Sequence, residues 1–165
     1  MKPTTDLKIK FRRVLITSFL FLLSDYAFAH RANGYLAHGP GGLGFALEYE
    51  RDLTKYASWG GFLHNYAGSD DGIGLGAAGA FYRPYLRRGP FLFYMKVGLG
   101  GYNIAFPDES KFAIGPMYSV GFEVQSSKLI HYHFAQVSYH GWFSEPSGEL
   151  LNSVLIGASY FLPAK

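Results

Sequence analysis

A chain of 165 residues holds one domain, and its 15 Lys and Arg stand against 12 Asp and Glu. Five of the basic and two of the acidic residues fall in the first 29 positions, so the rest is formally neutral and offers no electrostatic ground for binding nucleic acid. Cysteine is absent, which excludes a disulfide framework, so a large core, a partner or a bilayer must stabilise the chain.

The chain opens with Lys2, Lys8, Lys10, Arg12 and Arg13, continues with an uncharged stretch from Val14 to Leu23, and reaches Ala27-Phe28-Ala29. A basic start, a short apolar stretch and small residues at the cleavage positions predict a secretory signal peptide over 1–29, cut after Ala29. The apolar stretch is well short of the roughly 20 residues a spanning helix needs.

Beyond position 29 the chain is rich in glycine and aromatic residues and has no second apolar stretch of spanning length. Eight segments read as strands, at 33–38, 43–51, 56–67, 72–83, 91–104, 113–125, 130–143 and 152–162. Their apolar period is two. In the second segment Leu43, Phe45, Leu47 and Tyr49 oppose Gly44, Ala46, Glu48 and Glu50. In the fifth, Phe91, Phe93, Met95, Val97 and Leu99 oppose Tyr94, Lys96, Gly98, Gly100 and Tyr102. The sixth sets Ile114, Tyr118, Val120, Phe122 and Val124 against Gly115, Ser119, Gly121 and Glu123. The eighth sets Val154, Ile156, Ala158, Tyr160 and Leu162 against Ser153, Gly157, Ser159 and Phe161. One apolar face and one face of small or polar residues, repeated, is the lipid-out, lumen-in pattern. The predicted fold class is therefore all-β, an eight-stranded antiparallel up-and-down transmembrane β-barrel over 30–165. A periplasmic ligand-binding β-sandwich shares the period, but its solvent face would carry more Lys, Glu and Thr.

The connections alternate in kind. Gly39 to Gly42, Gly68 to Asp71, Pro107 to Lys111 and Ser144 to Glu149 are acidic on balance. Asp52 to Lys55, Pro84 to Pro90 and Ser126 to Lys128, flanked by Arg51 and Arg83, are basic. With the N-terminus in the periplasm, the first set faces outward.

Leader, glycine-rich alternating strands and an aromatic closing strand resemble the small outer-membrane β-barrel family of OmpA-, OmpX- and OmpW-like proteins. The last strand, Gly157-Ala158-Ser159-Tyr160-Phe161-Leu162, is similar to the terminal signal read by the barrel assembly machinery, here through Gly157, Tyr160 and Leu162. It departs from that signal in ending with Pro163-Ala164-Lys165. The resemblance implies a bacterial outer-membrane location, outer-membrane lipid and lipopolysaccharide as surroundings, and a structural, adhesive or small-solute role. No cofactor and no metal is expected.

Four constellations could carry chemistry. Gly74-Leu75-Gly76-Ala77-Ala78-Gly79 matches G-x-G-x-x-G, but Phe81-Tyr82-Arg83-Pro84 follows where dinucleotide binding needs a helix, so glycines lining a narrow, curved lumen are expected. His131 and His133 share a strand face but lack a third metal ligand, which predicts polar residues at the interfacial rim. His30, the expected mature N-terminus, could chelate copper, although a membrane barrel supplies no reason for it. His140 and Ser144 near the outer rim resemble the His-Ser pair of lipid A deacylase barrels, and a lipid A-modifying acyl hydrolase is the alternative function. That family places serine two residues after the histidine and then asparagine, whereas this chain has Trp142 and Phe143 there. Nucleophile and base must touch, so the departure argues against an enzyme.

The small-residue face also carries charge at Glu48, Glu50, Lys96 and Glu123. If the loop between the fifth and sixth segments centres near Glu109, Lys96 and Glu123 fall at one level. The interior of an eight-stranded barrel is just wide enough for side chains to fill. The sequence therefore predicts that Lys96 bridges Glu123, and also Glu48, and plugs the lumen.

Overall fold

A computed structural model describes residues 30–39, 42–67, 74–106, 109–141 and 151–162. The expected leader and the loop residues Trp142, Phe143, Ser144, Glu145, Ser147 and Glu149 lie outside the described residues.

Eight strands follow in chain order: β1 (His30–Gly39), β2 (Gly42–Thr54), β3 (Ala57–Tyr66), β4 (Gly74–Arg88), β5 (Phe91–Ala105), β6 (Ser110–Gln125), β7 (Ile130–His140) and β8 (Leu151–Leu162). Each pairs with the next, and β1 pairs antiparallel with β8, from His30 opposite Leu162 to His38 opposite Val154. A closed ring leaves no unpaired edge. It also excludes the sandwich, because one sheet closes on itself instead of two sheets stacking.

The faces follow the residue alternation. On β5, Phe91, Phe93, Met95 and Leu99 are exposed, while Leu92, Tyr94, Lys96, Tyr102 and Ile104 are buried in the lumen. On β2, Leu43, Phe45 and Leu47 point out and Ala46, Glu48 and Glu50 point in. The exposed side chains form an apolar band of the kind lipid covers. Among the described residues, one end of the barrel carries the short turns after β2, β4 and β6, and β1 begins and β8 ends there. The connections after β3 and β7, at the other end, are longer.

Several boundaries differ from the sequence expectation, among them β2, which runs to Thr54 rather than 51, and β7, which ends at His140 rather than 143. β1 starts at His30, not 33, so Arg31 joins the ladder opposite Glu50 and Phe161. β6 starts at Ser110, not 113. β4 runs to Arg88 instead of stopping at position 83, and the turn into β5 is only Gly89 and Pro90, with Gly89 at φ 59. Pro84 suggests a break because it has no N–H to donate. The ladder accommodates it: Pro84 pairs with Ala57 on the β3 side, and the β4–β5 ladder resumes at Tyr85 opposite Tyr94.

A bulge in β7 matters for the interior. The β7–β8 register shifts between His133 and Gln136, and the β6–β7 register shifts between Phe122 and Glu123. An extra residue reverses the parity of everything after it. His131 and His133 face inward before the bulge, and Gln136, Ser138 and His140 face inward after it. Without it the inward positions would continue at 137 and 139.

The glycines of the G-x-G-x-x-G match belong to β4, and no helix follows them. Gly79 faces the lumen at a close approach of the wall: a Cβ there would lie 2.1 Å from the Leu99 carbonyl oxygen and 2.7 Å from the Phe62 ring.

Candidate functional site

The lumen is filled in two tiers. Towards the long-loop end, Phe62, Tyr66, Leu75, Tyr102, Ile104, Met117 and Leu155 are buried together as an apolar and aromatic tier. Towards the short-turn end lie Arg31, Glu48, Glu50, Arg83, Lys96 and Glu123, each no more than 3 % exposed. That tier holds three carboxylates and three strong cations. Unpaired charge in such a space costs several kcal/mol per ion, so the balance is what permits the burial.

Glu50 is the centre. Its Oε2 lies 2.6 Å from Arg31 Nη2 and 2.9 Å from Arg83 Nη1. Asn33 donates to Oε1 at 2.6 Å, and Ser58 donates to Oε2 at 2.8 Å. Glu123 is gripped by the same two arginines, at 3.3 Å from Arg31 Nη1 and 2.9 Å from Arg83 Nη2. Both guanidiniums therefore bridge two carboxylates, a geometry that their planar fork suits. The Arg83 guanidinium also stacks 3.8 Å above the Tyr94 ring.

Lys96 serves the other branch. Its ammonium pairs with Glu48, donates to Gln136 Oε1 at 3.0 Å and lies 3.9 Å from Glu50 Oε1. Tyr35 donates to Glu48 at 3.0 Å, and His64 Nε2 lies 3.4 Å from Glu48 Oε1. Tyr94 donates to Gln136 at 2.9 Å. The carboxylates on β2 are thus tied to side chains from β1, β3, β4, β5 and β7.

The expected bridge from Lys96 to Glu123 does not form. The β5–β6 register sets Lys96 opposite Ser119 and Leu92 opposite Glu123. Four residues of offset correspond to about 13 Å along a strand. The hairpin is centred between positions 107 and 108, not on Glu109, and each residue of shift in a hairpin's centre moves the pairing by two. The Glu48 part of the expectation matches the contact seen.

His131 and His133 are not at an interface. They are 2 % and 1 % exposed, with His131 Nδ1 3.0 Å from Glu123 Oε1 and His133 Nε2 3.3 Å from Glu123 Oε2. Arg31 and Arg83 on the same carboxylate leave no electrostatic room for a metal cation. His140 also lies in the lumen, 1 % exposed among Phe62, Tyr66 and Tyr102, with Nε2 3.4 Å from His64 Nδ1. Its expected partner Ser144 lies outside the described residues. His30 points outward and pairs with the Tyr49 hydroxyl.

Sequence reasoning missed Arg31 and set Arg83 at the basic rim, whereas both are buried in the lumen. A signal was present: Glu48, Glu50 and Glu123 against Lys96 alone leave two buried negative charges uncompensated. Arg83 shares its strand face with Phe81 and Gly79, and Arg31 shares its face with Asn33 and Tyr35.

No protein-family model matches the sequence, and comparison with curated proteins finds no significant relative. Solved structures do match. The N-terminal β-barrel domain of Pseudomonas aeruginosa OprF is 9 % identical and superposes with TM-score 0.64, over 81 % of this chain and 97 % of that one. Neisserial surface protein A is 14 % identical, with TM-score 0.55 over 82 % of this chain and 96 % of that one. Ail, the attachment invasion locus protein of Yersinia pestis, is 16 % identical, with TM-score 0.51 over 82 % and 98 %. The chain has the fold of the small eight-stranded outer-membrane β-barrels.

Proposed function

We propose that the protein is an integral β-barrel of a bacterial outer membrane, exported and cleaved after Ala29, that acts as a structural or adhesive element through its surface. On this reading its lumen is closed and solutes do not cross it. The observation that carries the reading is the lumen filling: three carboxylates and three cations, each carboxylate in contact with at least one cation, beneath an apolar tier. An open pore needs a continuous wet path, and a porin lumen is polar throughout its length. The acidic outer connections, the surrounding lipid and lipopolysaccharide, and an assembly signal at Gly157, Tyr160 and Leu162 belong to the same reading. Tyr160 and Leu162 face outward.

Expression of the full chain in a Gram-negative host, followed by membrane fractionation and liposome swelling, tests both halves. The protein should fractionate with outer membranes, and intact mass should begin at His30. Proteoliposomes should swell in small sugars no faster than protein-free liposomes. Recovery in the soluble fraction contradicts the location, and rapid swelling contradicts the closed lumen.

A further inference from the structure

The outward face of β1 to β4 carries a groove near the short-turn end. In successive cross-strand rows, His30, Arg51, Trp59 and Tyr82 come first, then Ala32, Tyr49, Gly61 and Ala80, then Gly34, Leu47, Leu63 and Ala78. Small residues in the second and third rows leave a groove of about 760 Å³ walled by Leu47, Tyr49, Trp59 and Leu63. Its lining is almost wholly apolar, and its upper end meets the row that holds Arg51. Polar groups cluster there: the His30 ring and the Tyr49 hydroxyl are in contact on the outer face.

The rim beside this row is basic. Lys55, Arg87 and Arg88 are exposed at its turns, and Asp52 is the single carboxylate among the described residues of that rim. Asp52 lies 3.9 Å from Arg31, so part of its charge is already answered. An apolar channel running from a basic, hydrogen-bonding ledge into the hydrocarbon depth is complementary to one molecular shape: an acyl chain below an anionic head.

We propose that this face holds one anionic phospholipid of the periplasmic leaflet. Its phosphate sits against Arg51, His30 and the Tyr49 hydroxyl, and one acyl chain lies over the small residues Gly61, Ala80 and Ala78, beside Leu63. The inference rests on the outer-membrane reading for its setting, but binding is measured on the isolated protein, so the two can fail separately. A basic side chain next to an anionic lipid surface contributes about a fivefold preference.

The test is native mass spectrometry of the folded protein after equilibration with vesicles of phosphatidylglycerol and phosphatidylcholine in equal amounts and with identical chains. The wild type should retain one lipid, with phosphatidylglycerol favoured about fivefold or more. Arg51→Gln should abolish the preference, Arg51→Lys should keep most of it, and Ala78→Trp, which fills the groove, should remove the retained lipid of either kind. Lys128→Gln, on a remote turn, should change nothing. Folding of each variant is checked by the shift in gel migration on boiling, and Arg51→Lys serves as the folded control for that position. Equal retention of both lipids by the wild type, an unchanged preference in Arg51→Gln, or a protein dimer that excludes lipid from the groove would overturn the proposal.

Discussion

Glu50 shows how much one residue can hold. It accepts from Arg31, Arg83, Asn33 and Ser58, and all four reach it from other strands. Removing one partner of a buried pair leaves the other charge uncompensated, at about 3–5 kcal/mol. Glu50→Ala should therefore lower unfolding stability by about that amount, measured in lipid vesicles by urea titration. Pair specificity is a separate matter. Charge reversal at 48 and 96 together should recover much of what either reversal loses, because the two side chains touch. Reversal at 96 and 123 together should recover little, because their strands place them four residues apart. A double-mutant cycle in which the 96–123 pair couples more strongly than the 48–96 pair would refute the register. At this scale the four charges on the inward face were legible, because parity alone selects them. Their partners were not: Arg31 adjoined the expected leader, and Arg83 adjoined a proline that reads as a turn.

The alternation within each strand made the faces readable, since a one-residue error would have turned every side chain of a strand to the wrong side. Strand ends and the β7 bulge were not readable. A bulge adds one residue without a compositional mark, and His133, Phe134 and Gln136 look the same in sequence whether or not parity breaks between them. Facing is testable at two neighbouring positions. Val97 lies on the outer face near the middle of β5, so Val97→Arg should cost about 2–4 kcal/mol through the lipid. Gly98 faces inward, and a Cβ there would lie 2.3 Å from the Ala80 carbonyl oxygen. Gly98→Ala should therefore destabilise through the wall itself. The distinguishing readout is unfolding in vesicles of different acyl-chain length. The penalty of Val97→Arg should grow in thicker bilayers, and the penalty of Gly98→Ala should stay constant. The opposite ranking would mean that the faces are reversed.

At the scale of the whole molecule, two tiers divide the labour of closing the barrel on the proposed reading. On that reading the aromatic and aliphatic tier keeps water from one side, and exclusion strengthens every ion pair beneath it. The charged tier then fixes the strands to one another through side chains as well as through the ladder. Charge balance explains why a lumen so rich in ionisable groups folds at all. Removing Lys96 should upset both tiers, leaving Glu48 without its ammonium and opening room for water. Planar-bilayer recording tests the closed lumen most directly. The wild type should show no stable conducting level at moderate voltage and salt, while Lys96→Ala should admit cations and produce resolvable openings. A steady ohmic pore in the wild type, unchanged in Lys96→Ala, would contradict the account.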